Sequence, residues 1–213
     1  MAHILHLDSS PRGDRSISRQ LTKRFITSWT KAFPEDSITY RDLGHYPVPF
    51  IDENWIAASF ASPEARTPEL AAAIALSDQL VDEFLAADYY IFGIPMYNLS
   101  IPANFKAYID QIVRINRTLA VKDTGNGLIY EGLVKHKKMV IVTARSDNYR
   151  SGTAYAYQDF QAPYLRAMFE VLGITDITFI HADNLAGGAE ARQQSLANAH
   201  TEIQTFIAAL KTQ

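Results

Sequence analysis

The sequence contains no cysteine. Disulfide bonds, thiolate metal sites and cysteine nucleophiles are therefore excluded. The absence fits the reducing cytoplasm, which is the location we expect. Long apolar runs are missing as well, since none approaches the roughly 20 residues of a membrane-spanning helix. The opening stretch MAHILHLDSS is too short for a signal peptide, and we expect no membrane partner.

Strong charge of either sign is also missing. The chain has 20 basic and 23 acidic residues, a net charge of -3. This balance gives no electrostatic footprint for nucleic acid. The sequence lacks the GxGxxG pattern of dinucleotide folds and the GxxxxGK[ST] pattern of P-loops, and its histidines show no HExxH spacing. We therefore predict no nucleic-acid partner and no metal site.

Short apolar runs predict the strands of a sheet. Four of them, at 3–7, 89–94, 139–144 and 177–182, are nearly continuous and rich in β-branched and aromatic residues. Such runs are typical of parallel strands buried on both faces. The run at 37–43 alternates and predicts an edge strand. Helical patterns lie between them, so the sequence predicts one α/β domain over 1–213. Its doubly wound five-stranded parallel sheet has the order 2-1-3-4-5, with helices on both faces.

Two helix boundaries and two excursions complete the predicted organisation. Thr67 and Pro68 predict the start of one helix, and Gly173 predicts the end of another. The segment 44–66 is a long excursion, and 116–137 is a hairpin-like arm around TGNG. Long excursions in compact domains usually have a function or contact a partner.

The loop after the first predicted strand has the composition of a phosphate site. It supplies the hydroxyls of Ser9, Ser10, Ser16 and Ser18 and a guanidinium from Arg12 or Arg15, where a helix begins. A helix N-terminus offers free N–H donors and partial positive charge to an anion. The alternative is that Ser16 or Ser18 only caps the helix.

The loops after the third and fourth sheet strands would lie beside it, at the switch point of strand order. Pro95 sets a turn, Met96 and Tyr97 offer a soft sulfur and an aromatic face, and Asn98 offers amide donors and acceptors. This chemistry suits a planar ring with polar edges, although Met96 and Tyr97 could instead pack under a helix. The polar loop 144–152 is either part of the site or a solvated surface loop. Together the loops predict a mononucleotide site, and FMN fits better than an adenine nucleotide.

Motifs along nearly the whole chain carry a family resemblance. They include SSPRGDRSISRQL, YRDLGHYPVPFID, GLVKHKKMVIVTAR and, most specifically, PMYN followed by IPxxxKxYID. The chain resembles the FMN-dependent NADH azoreductases, also described as NADH:quinone reductases, which have a flavodoxin-like fold. The resemblance implies one non-covalent FMN per subunit, NADH as electron donor and a homodimer with sites at the subunit interface. It also implies a ping-pong cycle in which quinones are reduced and aromatic azo compounds are cleaved to amines.

The resemblance assigns residues to each part of the cofactor. The implied phosphate ligands are Ser10, Ser16, Ile17 and Ser18; the implied ring loop is Pro95, Met96, Tyr97, Asn98 and Leu99; the implied third loop is Ala144, Arg145, Ser146 and Asp147. The family usually has Ser-Arg-Gly-Gly in the third loop, so two glycines are replaced here. The resemblance implies aromatic residues on the arm that cover the flavin of the partner subunit; this chain has Leu119 and Val121 there, and Tyr130 is the aromatic residue nearby.

The chemistry is expected on the flavin, so no side chain is predicted to be catalytic. A non-catalytic electron carrier of the flavodoxin type is the first alternative, but such carriers are usually shorter and strongly acidic. A receiver-type regulatory module is the second. It needs an acidic cluster at the first strand, and here only Asp8 is present.

Overall fold

The computed structural model describes residues 1–212. The strands are β1 (His3–Asp8), β2 (Ser37–Asp42), β3 (Tyr89–Pro95), β4 (Leu119–Asp123), β5 (Leu128–Gly132), β6 (Lys138–Ala144) and β7 (Asp176–Ala182). The helices are α1 (Ile17–Ala32), α2 (Glu53–Phe60), α3 (Pro68–Ala86), α4 (Ala103–Ile112), α5 (Ala162–Leu172) and α6 (Ala189–Leu210). None of the helices within 1–212 is long and apolar enough to cross a membrane.

Five parallel strands form the main sheet in the order β2-β1-β3-β6-β7. The five segments predicted as strands are the five strands of this sheet, and the parallel α/β architecture is confirmed. The predicted numbering 2-1-3-4-5 is not confirmed, because two further strands, β4 and β5, intervene in the chain before the last two sheet strands.

The strands β4 and β5 form an antiparallel hairpin, separate from the main sheet. This hairpin confirms the arm that the TGNG turn predicted. Gly125 and Gly127 have φ values of 76° and 135°, which only glycine adopts at low cost. At the base of the hairpin, Gly132 lies directly against the backbone of Gly173, so the base has no room for a side chain, whereas the tip is restricted only by its backbone conformation.

The core lies on both faces of the sheet, as the continuous apolar strands predicted. Tyr90 and Phe92 of β3 pack into one cluster with α3, α4 and α5, while Ile91 packs into a second cluster with α1 and α6. Successive side chains of a strand point to opposite faces, so a strand covered on both sides needs apolar residues at every position. The sheet is thereby held rigidly, and its carboxyl edge is a fixed platform for the loops.

The predicted helix boundaries are confirmed. The Thr67 side chain accepts a hydrogen bond from the N–H of Leu70, and Pro68 occupies the first turn of α3. Gly173 ends α5 in the left-handed conformation, with φ of 103°. The 44–66 excursion contains α2, which is fixed to α4 by a hydrogen bond of 2.8 Å from Trp55 Nε1 to Gln111 Oε1.

Candidate functional site

A cavity of about 310 Å³ lies at the carboxyl ends of the central strands. Its wall is built from the three predicted loops and from one segment that was not predicted. The lining residues are Ser10, Arg12, Arg15, Ser16, Ile17, Pro95, Met96, Tyr97, Ala144, Arg145, Ser146, Leu185, Ala186 and Arg192. Nine of the thirteen predicted site residues are therefore brought together in one place.

At one end of the cavity, helix α1 begins with free hydrogen-bond donors. The Ser16 hydroxyl caps the helix by accepting from the N–H of Arg19 at 3.4 Å, so the capping alternative is also correct for this residue. The N–H groups of Ile17 and Ser18 have no acceptor within residues 1–212. Ser10 Oγ accepts from the N–H of Arg12 at 3.3 Å, which leaves its own hydrogen available to a ligand.

The cavity wall is strongly positive. Arg12, Arg15 and Arg192 line the cavity, and within residues 1–212 none of the three has a carboxylate partner. Among the described residues, the wall contains no Asp or Glu. Arg12 and Arg15 directly precede helix α1, and two cations beside a helix N-terminus favour a phosphate group on electrostatic grounds.

The loop after β3 forms a tight turn with a rare backbone. Tyr97 and Ser100 exchange backbone hydrogen bonds of 2.9 and 3.0 Å. Between them, Asn98 and Leu99 have φ values of 48° and 69°, the geometry of a type I′ turn. Asn tolerates this conformation, whereas Leu is strained in it. The N–H groups of Asn98 and Leu99 have no acceptor in residues 1–212, so they remain free to bind a ligand.

The loop after β6 is held by a buried ion pair. The guanidinium of Arg145 is fully buried and donates to Asp183 at 2.5 and 3.1 Å and to Asp159 at 2.7 Å. Burial alone would raise the pKa of Asp183, but the hydrogen bonds and charge of Arg145 outweigh it and hold that pKa below its usual range. Arg145 therefore shapes the loop, and its charged group is committed to the protein.

A fourth loop, residues 183–188, belongs to the site, although it was not predicted from the sequence. Its backbone pairs with the third loop. The N–H of Leu185 donates to the carbonyl of Arg145 at 3.2 Å, and that of Ala186 to the carbonyl of Ser146 at 3.0 Å. Leu185 and Ala186 thereby reach the cavity. The two residues that line the cavity, Leu185 and Ala186, have apolar side chains without the chemistry of a ligand site, so only the position of the loop after the last sheet strand could have indicated it.

Four predicted site residues do not line the cavity. Ser18 is fully buried behind Ser16, with the two hydroxyl oxygens 3.1 Å apart. Asn98 and Leu99 are at the turn, and their side chains lie outside the wall. Asp147 accepts from the hydroxyl of Ser146 at 2.7 Å. Contacts of these residues with a ligand remain predictions.

The structure also places Leu119 and Val121, the two arm positions at which the family tends to have aromatic residues. Leu119 is 6% exposed and belongs to the core, so it cannot cover a neighbouring ring. Val121 pairs directly across the hairpin with Tyr130, which is 64% exposed. Directly paired residues share one face of a hairpin. Tyr130 therefore presents an aromatic ring beside Val121.

Comparison with known proteins agrees with this site. The family model described as the flavodoxin-like fold matches residues 2–207. The chain is 59% identical over 98% of its length to the FMN-dependent NADH:quinone oxidoreductase 2 of Trichormus variabilis, of which it covers 99%. The chain belongs to this family. The FMN-dependent NADH:quinone oxidoreductase of a Nostoc species is also 59% identical, again over 98% of this chain and 99% of the relative.

Solved structures extend the comparison. The FMN-dependent NADH-azoreductase of Bacillus anthracis, determined in complex with FMN, superimposes with a TM-score of 0.88. It is 25% identical to this chain, and 99% of each chain is covered. Both the quinone oxidoreductase family and this azoreductase are named for FMN and NADH, as the PMYN and phosphate-loop motifs implied.

Proposed function

We propose that the protein is an FMN-dependent NADH:quinone oxidoreductase that also cleaves aromatic azo compounds. The observation that supports this most directly is the cavity itself, which includes Ile17 at the start of helix α1 and, through Tyr97, borders the turn whose Asn98 and Leu99 N–H groups are free. The first region would take the phosphate of FMN, and the second the polar edge of its ring. The electron-carrier alternative is less well supported, because the chain matches reductases over 98% of its length.

The residues fit FMN. The donors of the phosphate end are the hydroxyls of Ser10 and Ser16 and the N–H groups of Ile17 and Ser18, with Arg12 and Arg15 beside them. At the other end, Met96 and Tyr97 offer an apolar and an aromatic surface for the ring. The free N–H groups of Asn98 and Leu99 would stabilise negative charge that develops on the ring during reduction.

The bound flavin would supply the redox chemistry by accepting a hydride from NADH and releasing the electrons to the second substrate. A quinone takes two electrons and two protons to become a hydroquinone. Cleavage of an azo bond to two amines takes four electrons, and hence two NADH. We propose that NADH and the acceptor bind in turn at this one cavity.

We also propose that the active form is a homodimer. The excursion 44–66 exposes large apolar side chains that a monomer has no reason to present to water; Tyr46, Phe50 and Phe60 are each at least 75% exposed. Such a patch is typical of a protein–protein interface. Sedimentation at micromolar concentration should give twice the chain mass of 23.9 kDa. A fully active monomer would refute the dimer. A cytoplasmic location stays a prediction.

The purified protein tests the activity directly. It should bind FMN tightly, and anaerobic NADH should bleach the flavin absorbance, which a quinone should restore without NADH present. Parallel lines in double-reciprocal plots at several acceptor concentrations would support binding in turn, whereas intersecting lines would contradict it. An electron carrier would be bleached slowly or not at all by NADH.

A further inference from the structure

The end of β2 carries the motif Arg41-Asp42-Leu43-Gly44, which contributes nothing to the cavity wall. It belongs to the segment YRDLGHYPVPFID, yet the proposed flavin chemistry gives it no role. The contacts of Asp42 and Gly44 show where the motif acts. Gly44 lies directly against the carbonyl of Ser10, and Asp42 is linked to the same carbonyl through Arg19.

Arg19 links Asp42 to this loop. Its Nη1 donates to Asp42 Oδ2 at 2.9 Å, and its Nη2 donates to Asp42 Oδ1. The Nε of the same guanidinium donates to the carbonyl oxygen of Ser10 at 2.7 Å. The guanidinium of Arg19 is planar, and the carboxylate of Asp42 binds two of its nitrogens, so its orientation is fixed. The third nitrogen, Nε, therefore holds the carbonyl of Ser10 in one position.

Gly44 closes the arrangement. A Cβ atom at this position would overlap the carbonyl oxygen of Ser10 and the Nη2 of Arg19. Its N–H donates to Asp42 Oδ1 at 3.0 Å. The backbone of the turn therefore packs directly onto the Ser10 carbonyl, and any side chain would push the two apart.

The ion pair is permanent near neutral pH. Burial alone would raise the pKa of Asp42, but hydrogen bonds from Arg19 and His45 outweigh it and hold that pKa well below its usual range. Burial opposes the charge of Arg19, and its bonds to Asp42 outweigh burial, so the pKa of Arg19 is raised. A second tie comes from Asn104, whose Nδ2 donates to the carbonyls of Ser9 at 2.9 Å and Leu43 at 2.8 Å.

We propose that Arg19 and Asp42 are positioning residues for the phosphate site, which they shape through the Ser10 carbonyl without touching the cofactor. The inference rests on the proposed binding of FMN. Ser10 precedes Pro11, so fixing its carbonyl fixes the peptide plane from which both the Ser10 hydroxyl and Arg12 approach the cavity. The ring end of the cavity makes no contact with this pair.

The test compares two flavins on two matched variants. Asp42→Asn removes one charge from an arginine-bound carboxylate. Glu83→Gln does the same on the other ion pair of β2, where Arg41 donates to Glu83 at 2.6 and 2.8 Å without contacting the loop. For Asp42→Asn we expect the dissociation constant of FMN to rise about tenfold or more and that of riboflavin less than about threefold. Glu83→Gln should change neither by more than about twofold.

The outcomes separate the two proposals. If the wild type does not bind FMN, the proposed function is wrong and the positioning role falls with it. Suppose that the wild type binds FMN. If Asp42→Asn then weakens the binding of FMN and riboflavin equally, or of neither, the positioning role alone is wrong. Should Asp42→Asn not fold, Arg19→Lys decides, because lysine keeps the charge but lacks the Nε donor to Ser10. An FMN-specific loss supports the proposal, and unchanged FMN affinity overturns it.

Discussion

Arg145 and Asp183 are joined by two hydrogen bonds, of 2.5 and 3.1 Å, where both side chains are almost completely buried. They link the loop after β6 to the loop after β7, and both loops line the cavity. A buried ion pair adds little net stability when intact, but removing one partner leaves an uncompensated charge.

Arg145→Met should therefore lower the free energy of unfolding by about 3–5 kcal/mol. The remaining Arg150, which donates to Asp183 at 3.0 Å, is half-exposed and cannot replace it. Arg150→Met is the matched control and should cost less than about 1 kcal/mol, because exposed pairs are weak. Urea denaturation monitored by circular dichroism measures both. Equal losses in the two variants would contradict the special role of Arg145.

The turn at Asn98 predicts that backbone, and not side-chain, groups bind the flavin ring. Asn98→Gly keeps the φ of 48° and the free N–H, so FMN affinity should change less than about threefold. Asn98→Val places a β-branched residue in a strained conformation costing about 1–3 kcal/mol, and affinity should fall about tenfold. Fluorescence titration with FMN distinguishes them. If glycine is as harmful as valine, the amide side chain is the ligand.

The burial of the His181 imidazole predicts that the fold loses stability in acid. Burial, and then the positive charge of Arg145, lower its pKa to about 4 from 6.5. His181 binds a proton more weakly in the folded state than in the unfolded state. Its contribution to the free energy of unfolding is therefore fully present above pH 6.5 and is lost as the pH drops towards 4. A tenfold difference in proton affinity between the two states corresponds to about 1.4 kcal/mol, so the free energy of unfolding should fall by about 2–3 kcal/mol.

His181→Asn tests this dependence, because it retains a polar group near Thr143, whose hydroxyl lies 2.7 Å from His181 Nδ1. The variant should show a flatter loss of stability between pH 6.5 and 4. The exposed His136, with φ of 62°, accepts asparagine without strain, and His136→Asn should leave the slope unchanged. Identical slopes in all three proteins would exclude His181 as the cause.

The exposed ring of Tyr130 predicts a preference between large azo dyes and small quinones as acceptors. It is the aromatic residue across from Val121, and an aromatic contact is worth about 0.5–1.5 kcal/mol beyond its buried area. Tyr130→Ala should lower kcat/KM for a large azo dye by up to about tenfold, and for a small quinone by less. Ile129→Ala, on the other face of the same strand, is the control. An equal loss with both acceptors would show that Tyr130 does not cover them.

The sequence predicted the scaffold well because each strand is specified locally. The apolar run at 89–94 and the cap at Thr67 depend on neighbouring residues alone. The burial of the Ser18 hydroxyl, 3.1 Å from that of Ser16, was not evident from the local sequence, and its contact with a ligand stays a prediction. The bonds from Arg19 to Ser10 and Asp42 depend on side chains that the fold brings together. The side chains of Leu185 and Ala186 gave no signal either, since these residues are brought to the cavity by backbone pairing with a distant loop.

Within residues 1–212, β4 and β5 form a two-stranded sheet separate from the main one, while Gly132 at the base of the hairpin lies tightly against Gly173. Substitutions in its outer half therefore do not propagate into the sheet that holds the cofactor loops. Sequence changes in the hairpin can therefore alter the range of acceptors without loss of flavin affinity. For the same reason, the segment around Gly125 is the natural place for loop exchange in engineering.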